Sequence, residues 1–283
     1  MTQQNLSILL MIGAIFLFST MDGIAKTLTG EIGVWPTLWV RYMGQTLLVT
    51  ALIAPRIRTV MKTQFPGLQV ARSVFLMCAT TCFFWGISNI GLAEATAVMD
   101  LNPVLITLGA ALFLGERIGL RRVLGILASL IGAMIVIRPG SDVFSPYALF
   151  PLAAAVFYTG YNLSTRFVGS RESPWTALFY TGLLGAVVFS FVVPFFWQPI
   201  SPRAFWLIGA LSLCATVAQL MLIRALSLGE ASMLAPFAYL GLIFSAFWGY
   251  VLFDAVPDRW TILGATIIAM SGFYVWHRER HPS

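Results

Sequence analysis

Two charged residues of this 283-residue chain stand deep inside apolar stretches, and they pose the question of its chemistry. Arg41 lies about seven residues into the run that starts near Val34, and Asp100 about seven into the run that starts near Ala93. At 1.5 Å per residue of helix, each is ~10 Å from the end of its run. An unpaired ion in hydrocarbon costs at least ~2.5 kcal/mol, so such residues pair or face water. Depth therefore predicts that Arg41 and Asp100 face each other or share a polar cavity. As a tight pair they lock two helices together. As a looser pair they hold a zwitterion, Arg41 on its carboxylate and Asp100 on its ammonium; the remaining alternative is that Arg41 takes a backbone or amide partner instead. Nothing points to bond-making chemistry. His277 and His281 both sit in a basic tail, the cysteines are Cys78, Cys82 and Cys214, and no P-loop, G-x-S-x-G or H-E-x-x-H motif occurs. No metal and no cofactor are expected.

The elements that must position these charges are membrane spans. The chain is 59% hydrophobic and 10% charged, with mean hydropathy +0.86. A soluble domain is nearer 45–50% apolar and about 25% charged. Asp, Glu, Lys and Arg are absent from residues 1–21, 73–93, 143–165, 173–202, 204–223 and 231–253. Each gap suits a helix crossing a bilayer, which takes about 20 apolar residues. The pattern predicts ten spans: 6–27, 34–54, 69–90, 93–114, 119–137, 146–167, 175–197, 204–226, 230–253 and 259–277. Residues 2–5 carry no basic side chain, so the first span is expected to be retained rather than cleaved. Arg56, Arg58, Lys62, Arg117, Arg121, Arg122, Arg278 and Arg280 fall on one side by parity. The positive-inside rule then puts both termini in the cytoplasm. The expected location is a bacterial cytoplasmic (inner) membrane.

The sequence also repeats itself. "CATTCFFWGISNIGLAEA" (Cys78–Ala95) and "CATVAQLMLIRALSLGEA" (Cys214–Ala231) open and close alike, half a chain apart. Glu94 and Glu230 open spans four and nine. A unit of five helices used twice must enter the membrane upside down the second time, because five is odd. The expected fold is all-α and polytopic: two inverted five-helix repeats, 1–140 and 141–283, around a central cavity. That is the architecture of many secondary transporters, in which the two halves rock about a shared site.

Three stretches carry a family resemblance: Arg41-Tyr42, "LAEATAVMDLNPVLITLGAALFLGERIG" (Leu92–Gly119) and "LGEASMLAPFAYLGLIFSAFWGYVLFD" (Leu228–Asp254). They resemble the EamA-type members of the drug/metabolite transporter superfamily over nearly the whole chain. The aromatic content is similar to that of the YddG-type amino-acid exporters. The resemblance implies ten helices around a central cavity, with spans five and ten peripheral. Gly125, Ser129 and Ala133 on span five, and Ala265 and Ala269 on span ten, form small-residue ridges suited to close packing there.

Candidate cavity residues follow from type and span. Trp39, Tyr42, Trp85, Tyr158, Tyr161 and Tyr239 offer aromatic walls, and Asn89, Asn102, Asn162 and Gln219 offer amides. Pro103 and Pro236 each free a backbone carbonyl, so with Glu94 and Glu230 they are candidates for hinge or gate. Asp22 and Lys26, four apart on one helix face, are expected to pair. Many aromatics and few charges suit a small amphipathic solute, neutral or aromatic amino acids first. The expected function is a secondary transporter, an exporter by alternating access. Alternatives are a multidrug or other metabolite exporter of the same superfamily, and an integral-membrane lipid-modifying enzyme. The partners implied are a small-molecule substrate and the lipid bilayer, with no nucleic acid, and the assembly is a monomer or homodimer.

Overall fold

The computed structural model describes residues 3–102, 104–106, 108–109, 120–138, 145–168, 172–228, 237 and 239–280. Among them the helices of eight residues or more are α1 (Gln3–Ile32), α2 (Val34–Ile53), α3 (Pro66–Asn89), α4 (Leu92–Met99) and α5 (Leu120–Ile137). There follow α6 (Leu149–Val168), α7 (Pro174–Val192), α8 (Pro202–Leu228), α9 (Leu240–Phe253) and α10 (Arg259–Arg280). The described residues contain no β-strand. Segments Asn5–Ile32, Pro66–Asn89, Pro174–Phe195 and Pro202–Leu222 are long and apolar enough to cross a membrane, and Val123–Ile137 and Leu240–Phe253 are shorter apolar helices. Large apolar side chains such as Phe191, Phe195, Phe205 and Trp206 lie on the outside. A soluble protein buries such groups, whereas a lipid-facing surface presents them.

Local residue choice sets the helix ends. Gly33 has φ 83°, which an L side chain rarely adopts, and there α1 gives way to α2. Pro66, Pro174 and Pro202 sit at first helical positions, where the missing N–H costs nothing. Ser173 and Ser201 accept from the N–H groups of Trp175 (3.3 Å) and Ala204 (3.0 Å). Asp258 accepts from the Thr261 N–H at 2.9 Å and pairs with Arg138. Burial pushes the Asp258 carboxyl up, but the hydrogen bonds from Thr261 and Arg138 outweigh it and hold the group below its ordinary value.

The most extensive packing is of α1 on α8, α3 on α6, α5 on α10 and α2 on α7. Adding five to each helix number, and wrapping past ten, turns the first pair into the second and each of the others into itself. Small residues allow these crossings. A methyl added at Gly264 would lie 2.5 Å from the Gly132 carbonyl oxygen, so the backbones of α5 and α10 touch there. Ser129 bonds Ser271 across the same crossing, and Ala133 and Ala265 are buried in it. Where lipid is as apolar as the side chains, close backbone approach and such polar contacts hold helices together.

Candidate functional site

A cavity of about 540 Å³ runs between the helices, within the usual range for small-molecule sites. Its walls come from α1, α2, α3, α4, α6, α7, α8 and α9; among the described residues, α5 and α10 contribute none. One end reaches the surface at Glu172, Ser173 and Pro174, where α7 begins. Toward the other end lie Asp22, Thr96 and Ser245.

Among the described residues, two guanidinium groups line it. Arg41 is 8% exposed and lies over the rings of Tyr42 (4.9 Å) and Phe84 (5.8 Å). Its Nη1 donates to Thr80 Oγ1 at 3.4 Å. The Tyr42 hydroxyl, wholly buried and stacked on Phe189, donates to the same Thr80 oxygen at 3.0 Å. Arg72 is also 8% exposed; its Nη2 donates to the Tyr161 hydroxyl at 3.2 Å, and the guanidinium lies 5.1 Å from that ring. The Nε of each arginine is buried without a hydrogen-bond partner. Each cation is therefore supported by rings and hydroxyls yet keeps unused hydrogen-bonding capacity. Asp22 lines the same cavity and feels the charge of Arg41, but no ion pair closes between them.

At the Glu172 end, one carboxylate ties two segments together. Glu172 accepts from Thr63 Oγ1, from Gln69 Nε2, and from the N–H groups of Gln64 (2.7 Å) and Phe65 (3.3 Å). These donors stand at the start of α3, where unpaired N–H groups and the helix dipole favour an anion. Burial pushes the Glu172 carboxyl up, but these four donors outweigh it and hold it below its ordinary value. A carboxylate depressed on folding adds stability above its unfolded value that is lost as pH falls through its folded value. Thermal unfolding in detergent therefore comes at lower temperature as pH falls from about 5 to 3, and Glu172→Gln, less stable by about 1–2 kcal/mol at neutral pH, flattens that slope. An identical slope in the variant removes Glu172 from this role.

The opposite end is closed. Lys26 Nζ donates to the carbonyls of Ile87 (2.5 Å) and Ile90 (2.6 Å), at the last turn of α3. Glu94 caps α4 by accepting from the Gly91 N–H at 3.0 Å. Trp35 packs against Trp85, Phe189 and Phe196, and Trp39 against Trp197. None of these residues lines the cavity.

The sequence candidates therefore separate. Arg41, Tyr158, Tyr161, Asn162 and Gln219 line the cavity together. Tyr42 stands behind Arg41. Trp39, bonded to Ser190 at 2.8 Å, and Trp85 belong to the closed end. Asn89 is exposed and bonds its own helix at Trp85. Asn102 accepts from Thr159 at 3.2 Å, away from the cavity. Pro103, Pro236 and Glu230 lie outside the described residues.

Two expected pairings are corrected. Arg41 and Asp100 do not meet: Asp100 lies off the cavity wall, with Oδ2 buried and unpartnered, within electrostatic reach of Tyr239, whose hydroxyl is also unpartnered. Equal depth sets height in the bilayer but not rotation about a helix axis, and Asp100 terminates α4 on another face. Asp22 and Lys26 do not pair either, because the orphan carbonyls of α3 take Lys26 and leave Asp22 to the cavity. Sequence reasoning misses Arg72, Gln45 and Thr80. The signal for the first and last is a face of α3: Arg72, Leu76, Ala79, Thr80 and Phe83 follow helical spacing, and all line the cavity.

Such a cavity, walled by apolar helices and holding a few charges, suits a membrane transporter. The chain belongs to the EamA-like transporter family, whose model matches residues 5–138 and again 145–276. It is 29% identical to the pseudopaline exporter CntI of Pseudomonas aeruginosa over 269 residues, covering 93% of each chain. It is 27% identical to a riboflavin transporter of Vibrio cholerae, covering 94% of this chain and 91% of the other. It is 24% identical to an S-adenosylmethionine uptake transporter of Rickettsia felis, covering 93% and 89%. A solved crystal structure superposes with a TM-score of 0.70 at 22% identity, covering 98% of this chain and 99% of that one, and shows the shared fold. The chain is a multi-pass membrane transporter of small molecules, not an enzyme.

Proposed function

We propose that this transporter carries small amphipathic metabolites with an amino-acid head group, neutral and aromatic amino acids first, by alternating access across a bacterial inner membrane. One observation carries the reading: Arg41 and Asp22 line one aromatic-walled cavity without closing an ion pair. A zwitterion fits between them, its carboxylate on the Arg41 fork and its ammonium on Asp22. The cargos named for the relatives differ widely. S-adenosylmethionine carries an amino-acid head, whereas riboflavin carries a flat aromatic system. The side chains of this cavity therefore choose among them.

The ten-span topology with inverted repeats is part of the same proposal. It is supported by helix contacts that repeat when helix numbers shift by five. Arg56, Arg58 and Lys62 precede the Thr63–Glu172 contact, so the open mouth is assigned to the cytoplasm together with both termini. The cavity is then inward-facing and the Lys26 end faces outward. The direct test is counterflow of labelled phenylalanine in liposomes holding only this protein. Accelerated entry into preloaded vesicles is expected, and no counterflow with any zwitterionic amino acid rejects the substrate class.

A further inference from the structure

The cavity holds more positive charge than one zwitterion needs. Arg41 and Asp22 answer a carboxylate and an ammonium, which leaves Arg72. The nearby carboxylate of Glu172 is already engaged by Thr63, Gln64, Phe65 and Gln69. Among the described residues, no ion pair to Arg72 forms. Arg72 is more than nine-tenths buried, its guanidinium is braced by Tyr161, and its Nε has no partner. A buried cation that lines a cavity and has no counter-ion is a site awaiting an anion. Its placement also sets a length. Arg41 reaches the cavity at Thr80, which lies eight residues from Arg72 along α3, ~12 Å of helix. Tyr158, stacked on Tyr161, lies where the charges of both arginines are felt.

We propose that Arg72 is a second acid-recognition point, and that the preferred cargo is an amphipathic amino acid with a further carboxylate at its far end, separated from the head by an apolar or aromatic spacer. This rests on the amino-acid reading of Arg41 and Asp22 and narrows it. The Arg72 fork grips the distal carboxylate through the Nη hydrogens that Tyr161 does not take, Tyr161 holds the fork in plane, and the Tyr158–Tyr161 stack covers the spacer. Among the described residues, a cargo with two carboxylates and one ammonium matches the two guanidiniums and Asp22, the wall carboxylate left over once Glu172 is engaged at the mouth.

The test compares counterflow of phenylalanine with that of 4-carboxyphenylalanine, which differs by one distal carboxylate. The wild type favours the diacid by about 10- to 100-fold in rate over KM. R72Q brings that ratio to near one, whatever it does to absolute rates. R72K, which keeps the charge and loses the fork, falls between and stands in should R72Q fail to assemble. A wild-type ratio near one, or a preference that survives in the variant, overturns the proposal. If the wild type carries neither amino acid, the amino-acid reading has failed. Arg72 is then judged by thermal stabilisation with terephthalate, a diacid without an amine. Stabilisation lost in R72Q supports a lone acid site, and none in the wild type rejects it.

Discussion

Arg41→Gln and Asp22→Asn each reduce amino-acid counterflow by about 100-fold or more, while the protein still assembles in the membrane. The loss is large because each variant removes the one group of its sign at the head-group position. With glutamine in place of Arg41, the substrate carboxylate exchanges a two-pronged charged contact for a single neutral one. With asparagine in place of Asp22, the substrate ammonium is left without a counter-ion between apolar walls. Assembly survives because, among the described residues, neither side chain closes an ion pair. Removing an ion that has no counter-ion from an apolar setting relieves part of its burial cost. Arg41→Lys keeps charge without the fork and loses about 10-fold. Asp100→Asn is the contrasting control. If depth alone governed pairing, it would be as damaging as Arg41→Gln. Because Asp100 stands off the cavity, its loss is the smaller one. Counterflow normalised to reconstituted protein decides the matter. Wild-type rates in Arg41→Gln and Asp22→Asn would sink the head-group assignment.

That contrast also marks what a sequence can reveal. Charge-free stretches and prolines locate most helices to within a few residues, because hydrophobic length and a missing N–H act locally. The small-residue ridge on α5 is legible for the same reason: side-chain size alone decides whether two backbones can touch, as those at Gly132 and Gly264 do. Rotation about each helix axis is not legible from depth. Arg41 and Asp100 have equal depth and diverge; Asp22 and Lys26 share a face but are drawn apart by a third helix end. Arg72 falls only three residues inside the run that hydropathy starts near residue 69, too near its edge to single out, whereas the helix starts at Pro66. Those three residues carry Arg72 almost one turn further from the helix end, into the cavity.

Lys26→Met unseals the closed end. The Lys26 ammonium bonds α1 to the last turn of α3, through the carbonyls of Ile87 and Ile90. The last carbonyls of a helix have no partner within it, and the negative end of the dipole adds to their attraction for a cation. The ring of Phe253 on α9, 5.4 Å from the ammonium, and the Glu94 cap of α4 gather around the same point. One side chain thus ties α1 to the α3–α4 junction opposite the open mouth. Methionine has a similar apolar stem and no donor, so packing is kept and both carbonyls are left unpaired. Two charge-assisted bonds contribute roughly 2–4 kcal/mol to the closed arrangement, and losing them shifts the closed-to-open ratio by about 30-fold or more. The readout is side-specific labelling of Thr96→Cys, with Cys78, Cys82 and Cys214 replaced by Ala. Thr96 lies on the cavity wall, bonded to Ser245 at 2.9 Å, toward the closed end. With Lys26 present, an impermeant thiol reagent reaches that cysteine only from the Glu172 side. In Lys26→Met it reacts from both sides, and counterflow slows because the outward seal no longer holds. An unchanged labelling pattern would show that the aromatic cluster of Trp35, Trp85 and Phe189 closes this end by itself.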